Sequence, residues 1–217
     1  MSGSRRNQKL LPALLLVVSI AVCVIGVYIF WSRMDYNDEQ PKDMEGNAVS
    51  IEDGDLPHGS ELKSMKVTED NGTRLVVPSV GLNVGIGALS EVAGQITPPG
   101  FTNAYIVRNR GAGELSKANQ QTLFVVTHSV NWGKAPGNYL IDVSDGKPAV
   151  HIGAQIEIGA LKYKVTETET VLKEDLGSTS SVWENTPGRL VLITCLQREQ
   201  GRSLKNVVIM AQMENKQ

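Results

Sequence analysis

The sequence predicts an all-β domain, a closed or nearly closed barrel or a sandwich, carried behind an N-terminal membrane helix. Three observations predict it. From Arg74 onward, short runs rich in β-branched residues alternate with Gly, Pro and Asn. Helical patterns are few, and residues 10–32 carry no charge. The chain has 217 residues, of which 41% are hydrophobic, enough for a packed core and too many for a wholly disordered chain. A net charge of −2 gives no reason to expect nucleic acid as a partner.

The average charge hides a split. Residues 1–33 hold Arg5, Arg6, Lys9 and Arg33 and no acid, leaving 17 of the 21 basic residues to set against all 23 acids in the remainder. A stretch of roughly 20 apolar residues matches the hydrocarbon thickness of a bilayer. Pro12 stands near its start, where a helix tolerates it, and Tyr28 and Trp31 stand at its far end, where interfacial aromatics belong. A cleaved secretory signal would have a shorter apolar region and a small-residue cleavage site. Here the run ends in Phe30-Trp31-Ser32-Arg33-Met34. It also continues past Cys23, which argues against a lipoprotein site there. The basic flank places residues 1–9 in the cytoplasm, 10–32 across the membrane as a single pass, and everything beyond outside. Residues 33–73 are acidic, bear Gly and Pro, and lack sustained periodicity; they read as a stalk or linker. His58, between Pro57 and Gly59, reads as a solvated loop histidine.

Residues 74–217 carry the domain. LVVPSVGLNVGIG, AYIVR, TLFVVTH, YLIDV, AVHIG, AQIEIGALKYKVTETETV, RLVLITC and NVVIMAQM are its strand candidates. Leu161, Tyr163 and Val165 alternate with Lys162, Lys164 and Thr166, so one face is apolar and the other polar. Gly159-Ala160 reads as a tight hairpin before them. Glu114–Gln120 and Glu174–Trp183 have room for short helical turns.

Outside the membrane segment there is one cysteine, Cys195. It ends the apolar run Leu190-Val191-Leu192-Ile193-Thr194 and is followed by a polar stretch containing Arg198 and Arg202. A thiol at a strand mouth beside cationic side chains is in a setting that favours the thiolate; the other reading is an inert core cysteine. A nucleophilic cysteine needs a positioned acid or base and a stabiliser for the oxyanion. His128 ends another apolar strand, Thr122 to Thr127, and is followed by a Gly/Pro/Asn loop. Cys195 and His128 thus occupy equivalent places, and if their strands are neighbours the two side chains open onto one cleft. Arg202 or Arg198 supplies the fixed positive charge. His151 lies in a predicted strand as a surface or satisfied core histidine. No ligand spacing for a metal, no Gly-rich phosphate loop and no GxSxG elbow is present.

These features resemble the sortases, membrane-anchored cysteine transpeptidases of Gram-positive bacteria. The resemblance rests on Thr127-His128, on Val191-Leu192-Ile193-Thr194-Cys195 and on the arginines that follow, and extends over residues 74–213. Val77-Pro78-Ser79-Val80-Gly81-Leu82, Pro98-Pro99-Gly100, Pro136-Gly137-Asn138-Tyr139-Leu140 and Lys205-Asn206-Val207-Val208 are most similar to class F of actinobacteria. It implies an eight-stranded β-barrel with short helices and no cofactor. Cys195 would be the nucleophile, His128 the general acid/base and Arg202 the oxyanion stabiliser, with Arg198 as second choice. Thr194 would help position the substrate backbone. The implied reaction cleaves an LPxTG-like sorting signal between Thr and Gly through a thioacyl-enzyme and passes the acyl group to an amine of a lipid II-like peptidoglycan precursor. The chain departs from the family pattern at Thr127 (usually Gly), at Val191 (usually Thr) and at Leu196-Gln197 (commonly Gly-Gly). Counting back from the last strand places the arginine nearer Lys205-Asn206. Two rival readings are an L,D-transpeptidase-like cell-wall enzyme and a non-catalytic anchored β-domain for adhesion or assembly. The first usually has its His and Cys in one short stretch, whereas His128 and Cys195 are 67 positions apart.

Overall fold

The computed structural model describes residues 19–27, 40–50, 56–57, 59–70 and 72–214. Two units separate, residues 1–40 and 41–217. In the first, 19–27 are helical, with Ile20, Val22, Ile25 and Val27 exposed. The rest of the expected span 10–32, and His58, lie outside the described residues. Among the described residues no helix is long and apolar enough to cross a membrane.

The second unit is built on a closed barrel. Its strands are β1 (Arg74–Val77), β2 (Leu82–Leu89), β3 (Ala104–Val107), β4 (Leu123–Thr127), β7 (Gln155–Ile158), β8 (Leu161–Leu172), β9 (Arg189–Leu196) and β10 (Lys205–Met213). Their spatial order is β1-β2-β3-β4-β9-β10-β8-β7, and β7 pairs with β1 to close the ring. Closure removes the exposed strand edges that an open sheet must protect. Six pairs are antiparallel; β2–β3 and β4–β9 are parallel. A parallel pair needs a long crossover, and between β4 and β9 the chain makes β5 (Ile141–Asp142), β6 (Lys147–Pro148), β7 and β8. Among the described residues three short α-helices accompany the barrel: α1 (Gly59–Met65), α2 (Lys173–Leu176) and α3 (Ser180–Trp183).

Two apolar layers explain why β4 and β9 read as unbroken hydrophobic runs. The barrel interior takes Leu123 and Val125 from β4, Leu190 and Leu192 from β9, and Val207 and Ile209 from β10. The outer face of the same strands carries Phe124, Val126, Val191, Ile193, Val208 and Met210, covered by Met65, Val182 and Trp183. Strands buried on both faces need no polar alternation. β8 has one wet face, so it does alternate: Tyr163 and Val165 are buried and Lys162, Lys164 and Thr166 exposed.

Three expectations differ from the structure. The run 75–87 is two antiparallel strands, because Pro78–Val80 forms a 3-10 turn and Gly81 follows in the left-handed region at φ 72°. The strand expected at 149–153 is absent: only Lys147–Pro148 pairs, with Ile141–Asp142, and His151 is exposed beyond it. Within the linker expected at 33–73, the described residues 41–50 and 59–70 carry contacts with the domain. Asp43 is 3% exposed and its carboxylate accepts from the backbone N–H groups of Glu45, Asn47 and Lys134. Those bonds hold its carboxyl below the ordinary carboxylate range, the Lys134 N–H acting most strongly. Val49 is buried with Phe101, Val130 and Ala135, and Thr68 bridges to Ala88 of β2. This arm is held by backbone pairing and scattered anchors, which leave no periodic signature.

Candidate active site

The site is built from the ends of two parallel neighbours. In β4–β9 Leu123 pairs with Leu190 and Val126 with Ile193. The offset is 67 residues, the separation of His128 from Cys195. Continued by two residues, the register brings His128 level with Cys195. Side chains alternate across a strand, so His128 follows Phe124 and Val126 onto the outer face. Cys195 follows Val191 and Ile193 onto the same face. Both line one cleft of about 660 Å³.

Several contacts fix the two strand ends. Ser129 Oγ donates to the Cys195 carbonyl at 2.6 Å. Gln197 Nε2 donates to the Ser129 carbonyl at 2.8 Å and to Ser129 Oγ at 3.1 Å. Gly137 donates its N–H to the His128 carbonyl at 2.7 Å. A Cβ on Gly137 would overlap both that carbonyl and Thr194 Oγ1, so only glycine permits this approach. Asn138 closes the intervening loop: its Oδ1 accepts from Val130 and Ala135 N–H, and its Nδ2 donates to the Val130 carbonyl. The arm adds the Asp43–Lys134 N–H bond from outside.

The histidine is oriented as well as placed. Its Nε2 lies 2.9 Å from the Pro98 carbonyl oxygen. A carbonyl only accepts, so Nε2 carries the proton and Nδ1 is the basic nitrogen of the neutral ring. Phe101 stacks on the imidazole with centroids 4.7 Å apart. His128 is 8% exposed, whereas Cys195 is half-buried and open to the cleft.

The two arginines separate. Arg202 lines the cleft, and its neighbour Ser203 is anchored by hydrogen bonds from Oγ to the Leu196 and Lys205 carbonyls. Arg198 is not among the lining residues and folds its guanidinium over Gly201. Thr194 lies on the inward row of β9, nearly fully buried, and its Oγ1 has no hydrogen-bond partner among the described residues. It also lines the cleft. Among the described residues no cluster of His, Cys, Asp or Glu could hold a metal ion.

Sequence reasoning missed Ser129, Gln197, Gly137 and the arm. It touched Asn206 only by counting. The structure puts Asn206 directly across from Cys195 in the β9–β10 pair, 7% exposed and lining the cleft. The available signal was a lone polar side chain heading the apolar run VVIMA.

No family model matches the chain, and no curated protein matches it. Solved structures do. A lid mutant of sortase A from Corynebacterium diphtheriae is 14% identical, with a TM-score of 0.50 over 75% of this chain and 86% of that one. Sortase A from Listeria monocytogenes is 19% identical, with a TM-score of 0.46 over 66% and 86%. A sortase D5 transpeptidase of Clostridium perfringens is 12% identical, with a TM-score of 0.47 over 72% and 86%. At such identities the likeness concerns architecture: the chain has an all-β, eight-stranded, sortase-like barrel fold.

Proposed function

We propose that the chain is a cysteine transpeptidase of the sortase type. The observation that carries this reading is the shared row of His128 and Cys195 at the mouths of two parallel strands, with Arg202 in the same cleft. Cys195 gives its proton to His128 Nδ1, the resulting thiolate attacks the carbonyl carbon of the scissile amide, and Arg202 stabilises the developing oxyanion. As the C–N bond breaks, His128 gives a proton to the leaving amine through Nδ1, and a thioester remains on Cys195. An acceptor amine then attacks the thioester, His128 takes its proton, and a new amide forms as the C–S bond breaks and the Cys195 thiolate is released. One difficult amide exchange becomes two easier steps.

The finer reading extends the sequence resemblance. The substrate is an LPxTG-like sorting signal cut between Thr and Gly, and the acceptor is an amine of a lipid-linked cell-wall precursor. The chain sits in the cell membrane through residues 10–32, with its N-terminus cytoplasmic and its barrel outside. Its subclass is F. The cationic N-terminal segment and the acidic remainder support this orientation. Cleavage of a fluorogenic Leu-Pro-Ala-Thr-Gly peptide by the full chain, and its loss in Cys195→Ala, tests the reading. A folded Cys195→Ala protein that still cleaves would sink it.

A further inference from the structure

Asn206 is the residue directly opposite Cys195 in the antiparallel β9–β10 pair. Directly opposed residues have Cβ atoms roughly 5 Å apart on one face of the sheet. Val208 and Met210, two and four positions on, lie in the outer apolar layer, so Asn206 faces outward with Cys195. It is more than nine-tenths buried and it lines the same cleft. The positions around it show what packing alone would choose, since Val207 to Ala211 are all apolar. An amide donor held across from a nucleophile, and open to its cleft, is placed for a ligand oxygen.

We propose that the Asn206 side-chain amide donates a hydrogen bond to the oxygen that becomes anionic when Cys195 attacks a carbonyl. Asn206 is then a second oxyanion donor beside Arg202. The assignment rests on Cys195 being the acyl-accepting nucleophile. The two donors differ in support: Asn206 is fixed by strand register, while Arg202 reaches in from the loop before β10. A rigid donor aimed at the developing charge needs no reorganisation during the reaction.

Two thiol reagents separate this role from a structural one in the full chain. With 4-nitrophenyl acetate, a C–S bond forms at Cys195, the ester C–O bond breaks, and nitrophenol leaves with the thiol proton. That acylation passes through an oxyanion. Alkylation by iodoacetamide displaces iodide and forms none. Peptide-level mass spectrometry assigns each adduct to Cys195 rather than Cys23. Asn206→Ala should slow acetylation about 100-fold, the usual loss for one oxyanion donor, and leave alkylation within about twofold. Asn206→Gln, which keeps the donor, should recover most of the loss. If Asn206→Ala does not fold, Asn206→Leu, close in volume and without a donor, is read the same way. Equal slowing of both reactions, or of neither, overturns the assignment. A wild-type Cys195 inert to both reagents in the folded chain would instead contradict the nucleophile and the proposed function with it.

Discussion

Strand β9 has two rows that share a backbone and differ in everything else. The inward row, Leu190, Leu192, Thr194 and Leu196, packs into the barrel and is almost wholly excluded from water. The outward row, Val191, Ile193 and Cys195, is dry for two positions under Trp183 and Val182 and then opens at the third. β4 repeats the arrangement with Leu123 and Val125 inside and Phe124, Val126 and His128 outside. One residue of register decides whether a side chain supports the fold or meets a substrate. The chemistry therefore sits where an outward row runs beyond its apolar cover, on strands fixed by the inward row beneath.

This division can be broken row by row. The largest effect belongs to the outward row: His128→Gln should lower turnover about a thousandfold, within the range for loss of a general acid–base. Its melting temperature should stay close to wild type, measured alongside steady-state cleavage. Leu192→Ala should do the reverse. Deleting a buried leucine at the barrel centre costs about 3 kcal/mol of stability, read by denaturant melts, while the folded fraction keeps its turnover. Next in size is the arginine pair: Arg202→Ala should raise the barrier by about 2 kcal/mol or more, and Arg198→Ala far less. The opposite ranking would move the charge role to Arg198.

A smaller effect tests the interior. Tyr163 is fully buried and its hydroxyl has no partner among the described residues, and burial pushes the phenol up to about 12. Tyr163→Phe removes an unsatisfied polar group, so it should be neutral or stabilising by about 1 kcal/mol, with no change in turnover. The smallest concerns the arm. The Asp43 carboxyl is held below its ordinary range, so its contribution is present above that range and is lost as pH falls through the lowered value. Hydrogen exchange in residues 41–50, corrected for intrinsic rates, should speed up below about pH 4. Asp43→Asn should remove most of that pH dependence.

Much of the barrel was legible because strands buried on both faces write apolar runs and one-sided strands write alternation. Cys195 and His128 stood out as candidates for a related reason, because polar side chains end those runs abruptly, and Arg202 followed in the polar stretch after Cys195. The 67-residue spacing was visible too, yet its meaning as a strand register was not, since parallel pairing is a non-local fact. Ser129, Gln197 and Gly137 act through backbone groups and close approach, which no residue pattern announces. The arm from Pro41 was hidden because its anchors, Asp43, Val49 and Met65, are spaced irregularly in an acidic, glycine-bearing stretch. The family resemblance gave Thr194 a part in positioning the substrate backbone; the parity of the strand turns its side chain inward, and the residue still lines the cleft.

The central claim is that Cys195, set level with His128 by the β4–β9 register, takes up an acyl group. Intact-mass and peptide mapping of the full chain mixed with a Leu-Pro-Ala-Thr-Gly peptide measures this directly. The account predicts a thioester-linked adduct on Cys195, of the mass of the peptide cut after Thr and discharged by added amine. It predicts faster accumulation in wild type than in His128→Gln. Cleavage of the peptide with no adduct on Cys195, or undiminished cleavage by Cys195→Ala, would contradict it.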